Sequence, residues 1–257
     1  PMSDAFLALA RTEAGLSCYL VPRWCPDWSR NRFLIQRLKD KLGDRANASA
    51  EVEFNDTWAQ MVGPEGDGVR PIIETVHHTR LDTALAGAGL MRQAVVQAVH
   101  HAAHRSAFQR MLIDQPLMQN VLADLVLEWM AATLMAMRTA RAYDEAAAGD
   151  DSARHFARIA VSVAKYWINK RVTNHAYEAM ECLGGVGYVE ESGMPRLFRQ
   201  APVNSIWEGS GNVICLEVLR AAEREPGTMA AFLAEVEQAR GADARLDAAI
   251  ARLKDAV

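Results

Sequence analysis

Apolar positions change their period once along this chain. Over residues 1 to about 62 they fall in short runs or alternate with polar ones: Phe6 to Ala10, Leu16 to Val21, Arg32 to Leu38 and Ala50 to Phe54. Pro22, Pro26-Asp27 and Gly43-Asp44 punctuate these runs, a texture that predicts short strands. Glu51-Val52-Glu53-Phe54 alternates as a strand with one wet face does. So few strands make a poor closed sheet, and they read as the second half of a small β-domain.

Beyond Gly63-Pro64-Glu65-Gly66-Asp67-Gly68 the period becomes helical. Long helices are predicted from about residue 69 to 104, from Pro116 to Ala148, and from Ser152 to Leu183, the last ended by Gly184-Gly185. A fourth starts near Gly209 and runs toward Ala222, where Glu225-Pro226-Gly227 breaks it before an Ala-rich amphipathic tail. In the second helix Leu117, Val121, Leu125 and Trp129 form one ridge, with Met118, Leu122, Val126 and Met130 beside it. Such ridges suit packing on two sides. The fold class expected is α+β: a partial small β-domain over 1–62, an antiparallel four-helix bundle over 63–222, and a helical tail over 223–257 that begins a carboxy-terminal extension.

Composition narrows the functions. A chain of 257 residues, 50% hydrophobic, can build one large domain or two modest ones. A net charge of −4 gives no whole-chain electrostatic footprint for nucleic acid or membrane. No apolar run reaches the roughly 20 residues that span a bilayer, so no membrane partner is expected. Pro1-Met2-Ser3-Asp4 does not read as a signal peptide. Because a strand follows almost at once, the natural amino terminus is expected upstream. Cys18, Cys25, Cys182 and Cys215 form no C-x-x-C pair, which predicts free, mostly buried thiols and a cytoplasmic location.

Two local patterns suggest chemistry and fail alone. His100 and His104 lie four apart on one helix face beside His101, but a third ligand and the H-E-x-x-H glutamate are missing, so no metal is expected. Gly184-Gly185-Val186-Gly187-Tyr188 looks like a dinucleotide loop. It follows a helix, whereas the dinucleotide fingerprint follows a strand and opens a helix.

Taken with its neighbours, that loop carries more. Arg105-Ser106-Ala107-Phe108, Gly184-Gly185-Val186-Gly187-Tyr188 and Trp207-Glu208-Gly209-Ser210-Gly211 occur in this order, each at the end of a long helical stretch. This set resembles the R-x-x-F-G, G-G-x-G-[YF] and aromatic-E-G-[TS] motifs of the acyl-CoA dehydrogenases. Leu38 to Gly43 resembles that family's K-L-G segment, and Glu51 to Phe54 the strand after it. The resemblance covers about residues 1–222. Pro202 to Asn212, with Trp207 where most members have tyrosine, resembles the AidB-like branch.

The resemblance implies an FAD-dependent acyl-CoA dehydrogenase, in which a carboxylate removes an α-proton from an acyl thioester while hydride passes to the flavin. Burial strengthens such a base, and the protein supplies position and electrostatics. The family places the base either in the E-G-[TS] turn or just before an arginine of the first bundle helix. Arg80 precedes Arg105 by the family's spacing (105 − 80 = 25) and is preceded by Thr79, which is no base. Glu208 is therefore the base the resemblance implies, with Arg80 near it shaping the turn. It likewise implies FAD contacts at Arg105, Phe108, Glu181, Gly184, Gly185, Ser210 and Asn212, with Arg105 reaching the pyrophosphate across a subunit interface.

Acyl-CoA is the implied substrate and a homo-oligomer, dimer or tetramer, the implied assembly. Arg105 and the Gly184-Gly185 loop are expected on opposite sides of a subunit boundary. Gln109, Gln200 and Glu181 depart from the usual glycine, acidic residue and glutamine. The family's amino-terminal helical domain and its flavin-ring strand motif have no counterpart here, which implies a fragment. The alternative, a DNA-associated flavoprotein protecting against alkylation damage, belongs to the AidB-like branch.

Overall fold

In the computed structural model, residues 3–255 are described. The chain divides into two compact units, Pro1–Thr79 and Arg80–Val257, with the division inside the first long helix.

In the first unit β1 (Ala5–Thr12) turns at Glu13-Ala14 into antiparallel β2 (Gly15–Pro22), with Ala5 opposite Pro22 and Thr12 opposite Gly15. β3 (Leu34–Leu38) and β4 (Ala50–Glu53) form a separate antiparallel pair. β5 (Gln60–Val62) joins the free edge of β2, giving the order β1-β2-β5. At three residues, β5 is too short to show a periodicity of its own. Phe6 meets the edge of Phe33 at 5.7 Å and stacks on Phe54 at 6.0 Å. Buried Asn31 ties the loops together, donating to the Pro22 and Trp58 carbonyls at 2.7 and 2.8 Å and accepting from the Trp58 amide at 2.9 Å.

Helix α1 (Val69–His104) is followed by a small hairpin, β6 (Ser106–Ala107) and β7 (Arg110–Met111). Then come α2 (Pro116–Ala147) and α3 (Asp151–Cys182). Proline opens α2, where its missing N–H costs nothing, and the Asp150 carboxylate caps α3 by accepting from the Ala153 amide at 3.0 Å. Short α4 (Gly185–Tyr188) and α5 (Met194–Gln200) lead to α6 (Gly211–Arg224), α7 (Pro226–Glu237) and α8 (Ala244–Asp255).

Three buried clusters fix the order of the second unit. The first joins Ala102 of α1, Leu122 and Leu125 of α2, and Ala179 and Cys182 of α3. The next joins Ala84 and Ala88, Ala132 and Ala136, and Ala164 and Ile168. The third joins Ala142, Phe156 and Ala157, with Phe232 of α7 against it. α1 and α3 therefore run parallel and α2 runs against them. α6 also runs against α3, since Gly211 lies beside Lys170 while Glu217 and Glu225 meet Arg158. This is the up-down-up-down bundle the periodicity predicts. The tail docks on it through Arg138, which grips Glu235 at 2.6 and 2.8 Å, and through Phe156 stacked on Phe232 at 6.2 Å.

One feature of α2 differs from the sequence expectation. By length and composition alone it is apolar enough to cross a membrane, although Asp124 and Glu128 interrupt its apolar runs. Its inner face is bundle core, while Leu117, Leu127, Leu134 and Met137 point outward and exposed.

Alanine-rich faces bring the helices close, and Gly87 is where α1 touches α3. A Cβ there would stand 2.3 Å from Asn169 Oδ1 and 2.8 Å from Ile168 Cγ2. Gly87→Val is expected to force the helices apart, costing about 1–3 kcal/mol and lowering Tm by several degrees in a thermal melt. Gly87→Ala loses less, because alanine regains about 1 kcal/mol of helix propensity.

Candidate active site

After α5 the chain passes a 3-10 turn over Ala201–Ser205 and reaches Trp207-Glu208-Gly209-Ser210, the turn that opens α6. Glu208 has φ 56° and Gly209 φ 101°. Glycine occupies that region freely; a residue with a Cβ pays about 1–3 kcal/mol to stay there and needs support from its surroundings. The support comes from two helices. Arg80 of α1 donates from Nε to the Glu208 carbonyl at 3.0 Å, and Lys165 of α3 donates from Nζ to the Gly209 carbonyl. Arg80 is 6% exposed and Lys165 1%, whereas Glu208 is half-buried.

The surroundings are dry and charged. Burial presses the Arg80 guanidinium below its ordinary range, opposed by the charge of Glu217 and assisted by that of Arg158. Burial likewise pushes the Lys165 ammonium down to about 8, with Arg80 the next cause. The Tyr143 hydroxyl is pushed up to about 12 by burial, against the pull of Arg80 and Arg158. Arg158 is held by Glu217 at 2.7 Å and Glu225 at 3.3 Å. Thr79, beside Arg80, donates its hydroxyl to the Val76 carbonyl at 3.2 Å.

The remaining predicted residues fall into two groups. Ser210 and Asn212 flank the turn and are exposed; Ser210 is the N-cap of α6, yet its hydroxyl makes no cap bond. Arg105, Phe108, Glu181, Gly184 and Gly185 lie at the far end of the bundle, all exposed. Phe108 is 92% exposed with φ 52°, and Gln109 follows at φ 65°. The departure from glycine at Gln109 thus places a side chain on a backbone that glycine would adopt without strain. Gly184 has φ 59°, and the space where Gly184 and Gly185 would carry a Cβ is open. The Glu181 carboxylate accepts from the Tyr177 hydroxyl at 3.2 Å.

Within one chain the groups are well separated. Twenty-five residues of helix divide Arg80 from Arg105 (105 − 80 = 25), about 37 Å at 1.5 Å per residue. Arg105 and the Gly184-Gly185 loop, by contrast, share the same end, because Ala102 of α1 and Cys182 and Leu183 near the end of α3 belong to one buried cluster. Parallel α1 and α3 thus bring Arg105 and the loop to one end of the bundle within a single protomer.

Sequence reasoning passed over Lys165. Its signal was a lysine interrupting a buried stripe, Val161, Ala164, Ile168 and Val172. It also passed over a pair of buried donors at the turn, Asn204 Nδ2 and Trp207 Nε1, which have no acceptor among the described residues.

Residues 66–223 match the family model for the acyl-CoA dehydrogenase C-terminal domain. The putative acyl-CoA dehydrogenase AidB of Escherichia coli (strain K12) is 46% identical over 254 residues, covering 99% of this chain and 47% of that protein. The solved structure of Bd2924 in its apo-form superposes with a TM-score of 0.90 at 30% identity, over 98% of this chain and 51% of that one. Caenorhabditis elegans ACDH-11 in complex with C11-CoA superposes with a TM-score of 0.87, also at 30% identity, over 98% of this chain and 45% of that one. The chain spans about half the length of the curated relatives it matches. The bundle, the ordered motifs and the matched family model agree: this chain belongs to the acyl-CoA dehydrogenase family, in its AidB-like branch.

Proposed function

We propose that this chain carries the catalytic turn and part of the cofactor site of an FAD-dependent acyl-CoA dehydrogenase, with Glu208 as the general base. The observation that carries this reading is Glu208 itself: half-buried on a left-handed backbone, with its carbonyl bonded by a guanidinium from a different helix. Strain of this kind, over-determined by buried partners, is characteristic of sites that position a side chain. Thr79, at the other place the family uses, is a helix hydroxyl.

Glu208 takes the Cα proton of an acyl thioester; its carboxylate becomes the carboxylic acid. When bound, the flavin supplies the acceptor for the hydride that leaves Cβ. An acyl-CoA is the proposed substrate class, in keeping with the ligand named for the C. elegans neighbour. The protein's own atoms fit FAD in part. Exposed Arg105 offers a bidentate donor to a pyrophosphate, exposed Phe108 a ring to stack, open Gly184-Gly185 a close backbone approach, and uncommitted Ser210 a hydroxyl. Glu181 fits less well, because a carboxylate repels an anionic cofactor. Since Arg105 and Glu208 are remote in one chain, we propose that the Arg105 end of one protomer completes the site of another in a homo-oligomer. The alternative of a DNA-associated protective flavoprotein is not favoured: the family match and the relatives are acyl-CoA dehydrogenases.

Two substitutions test this in the protein at the length of its relatives. Glu208→Gln keeps size and most hydrogen bonding but removes the base, so flavin reduction by a responsive acyl-CoA should slow by about 10²–10⁴-fold at matched FAD occupancy. Reduction at the wild-type rate would make Glu208 a turn residue only. Arg105→Ala deletes a charge-assisted contact and should weaken FAD binding by about 10–100-fold in a fluorescence titration. Undiminished affinity would remove Arg105 from the cofactor site.

A further inference from the structure

Lys165 sits halfway along α3 and is 1% exposed. Among the described residues its hydrogen-bond acceptor is a backbone carbonyl, that of Gly209, and it forms no ion pair with a carboxylate. Stability does not explain it. Replacing a buried charge by an apolar side chain of similar volume is often neutral or stabilising, and Val161, Ala164, Ile168 and Val172 around it are apolar.

We propose that Lys165 is a positioning residue for the catalytic turn: with Arg80 it clamps the peptide groups on both sides of Gly209, and so fixes the direction in which Glu208 presents its carboxylate. The clamp rests on the reading of Glu208 as the base.

Peptide groups are rigid planes, so the freedom of this turn lies in the dihedral angles at Gly209. The carbonyl of Glu208 belongs to the plane before that hinge and accepts from Arg80 on α1; the carbonyl of Gly209 belongs to the plane after it and accepts from Lys165 on α3. Each plane is held by a cation from a different helix, and Gly87 sets the spacing of those helices. Both donors are buried, and burial strengthens such contacts. Lys170 closes the far side: a Cβ on Gly211 would lie 2.7 Å from its Cε. The groups facing Lys165 are thus Arg80 from α1, Glu208 from the turn and Lys170 from its own helix.

The test uses the FAD-loaded protein at the length of its relatives, with Lys165→Met, which keeps the length and loses the donor. Flavin reduction should slow by about 10–100-fold, the effect of misplacing a reacting group by about an ångström. Acyl-CoA affinity should change by less than about twofold. Amide exchange over residues 206–212 should quicken while the rest of α3 keeps its protection, a readout independent of turnover. In a Glu208→Gln background, Lys165→Met should add less than about twofold, because a positioning residue has nothing left to position.

A wild-type reduction rate in Lys165→Met, or losses that multiply in the double variant, overturns the clamp and leaves the base reading standing. Wild-type reduction in Glu208→Gln overturns both. If the methionine variant does not retain FAD, Lys165→Gln, a shorter uncharged donor, is judged by the same two readouts.

Discussion

Gly87 on α1 leaves room for the Asn169 side chain of α3, and the proposed catalytic turn depends on that close approach of the two helices. About two turns before Gly87 stands Arg80; about one turn before Asn169 stands Lys165. Both side chains leave the helix interface toward the same turn, and their donors arrive on successive carbonyls. A small residue at a helix contact thus bears on a strained backbone 121 residues away in sequence (208 − 87 = 121).

Placing two cations in a dry interface is costly. The cost is offset through hydrogen bonds to carbonyls, and through Glu217, whose charge opposes the burial of Arg80. Glu217 is itself held by Arg158 at 2.7 Å, which is shared with Glu225. The turn is thus the inner edge of a charge network linking α1, α3 and α6, and α7 begins next to its last member.

Length is the second constraint. Helices of 32 to 36 residues hold the Glu208 turn and the Arg105 end far apart, so the two groups of proposed site residues stand at opposite ends of one bundle. The far end is exposed and bears left-handed backbone at Phe108, Gln109 and Gly184. Such geometry suits docking of another molecule more than it serves the fold of the bundle itself.

Much of this was legible in the residues alone, because local physics decides it. Period-3.6 patterning, Pro116 and Gly184-Gly185 place the three long helices within a residue or two of their observed ends. The strands at Ala5–Thr12 and Gly15–Pro22 follow from short apolar runs and breakers, whereas β5, only three residues long, exists because β2 offers it an edge. Ordered motifs pointed to Glu208, Arg80 and the Arg105 and Gly184 loops. Tertiary structure alone decided which of these meet. Parallel α1 and α3 put Arg105 beside Gly184 and both far from Glu208, a neighbourhood set by side-by-side packing of residues far apart in sequence. It also decided the role of Lys165, a residue whose charge is at odds with its own helix face. Only the fold brings the Gly209 carbonyl within its reach, because hydrogen bonds between residues 44 apart in sequence (209 − 165 = 44) depend on packing rather than on pattern.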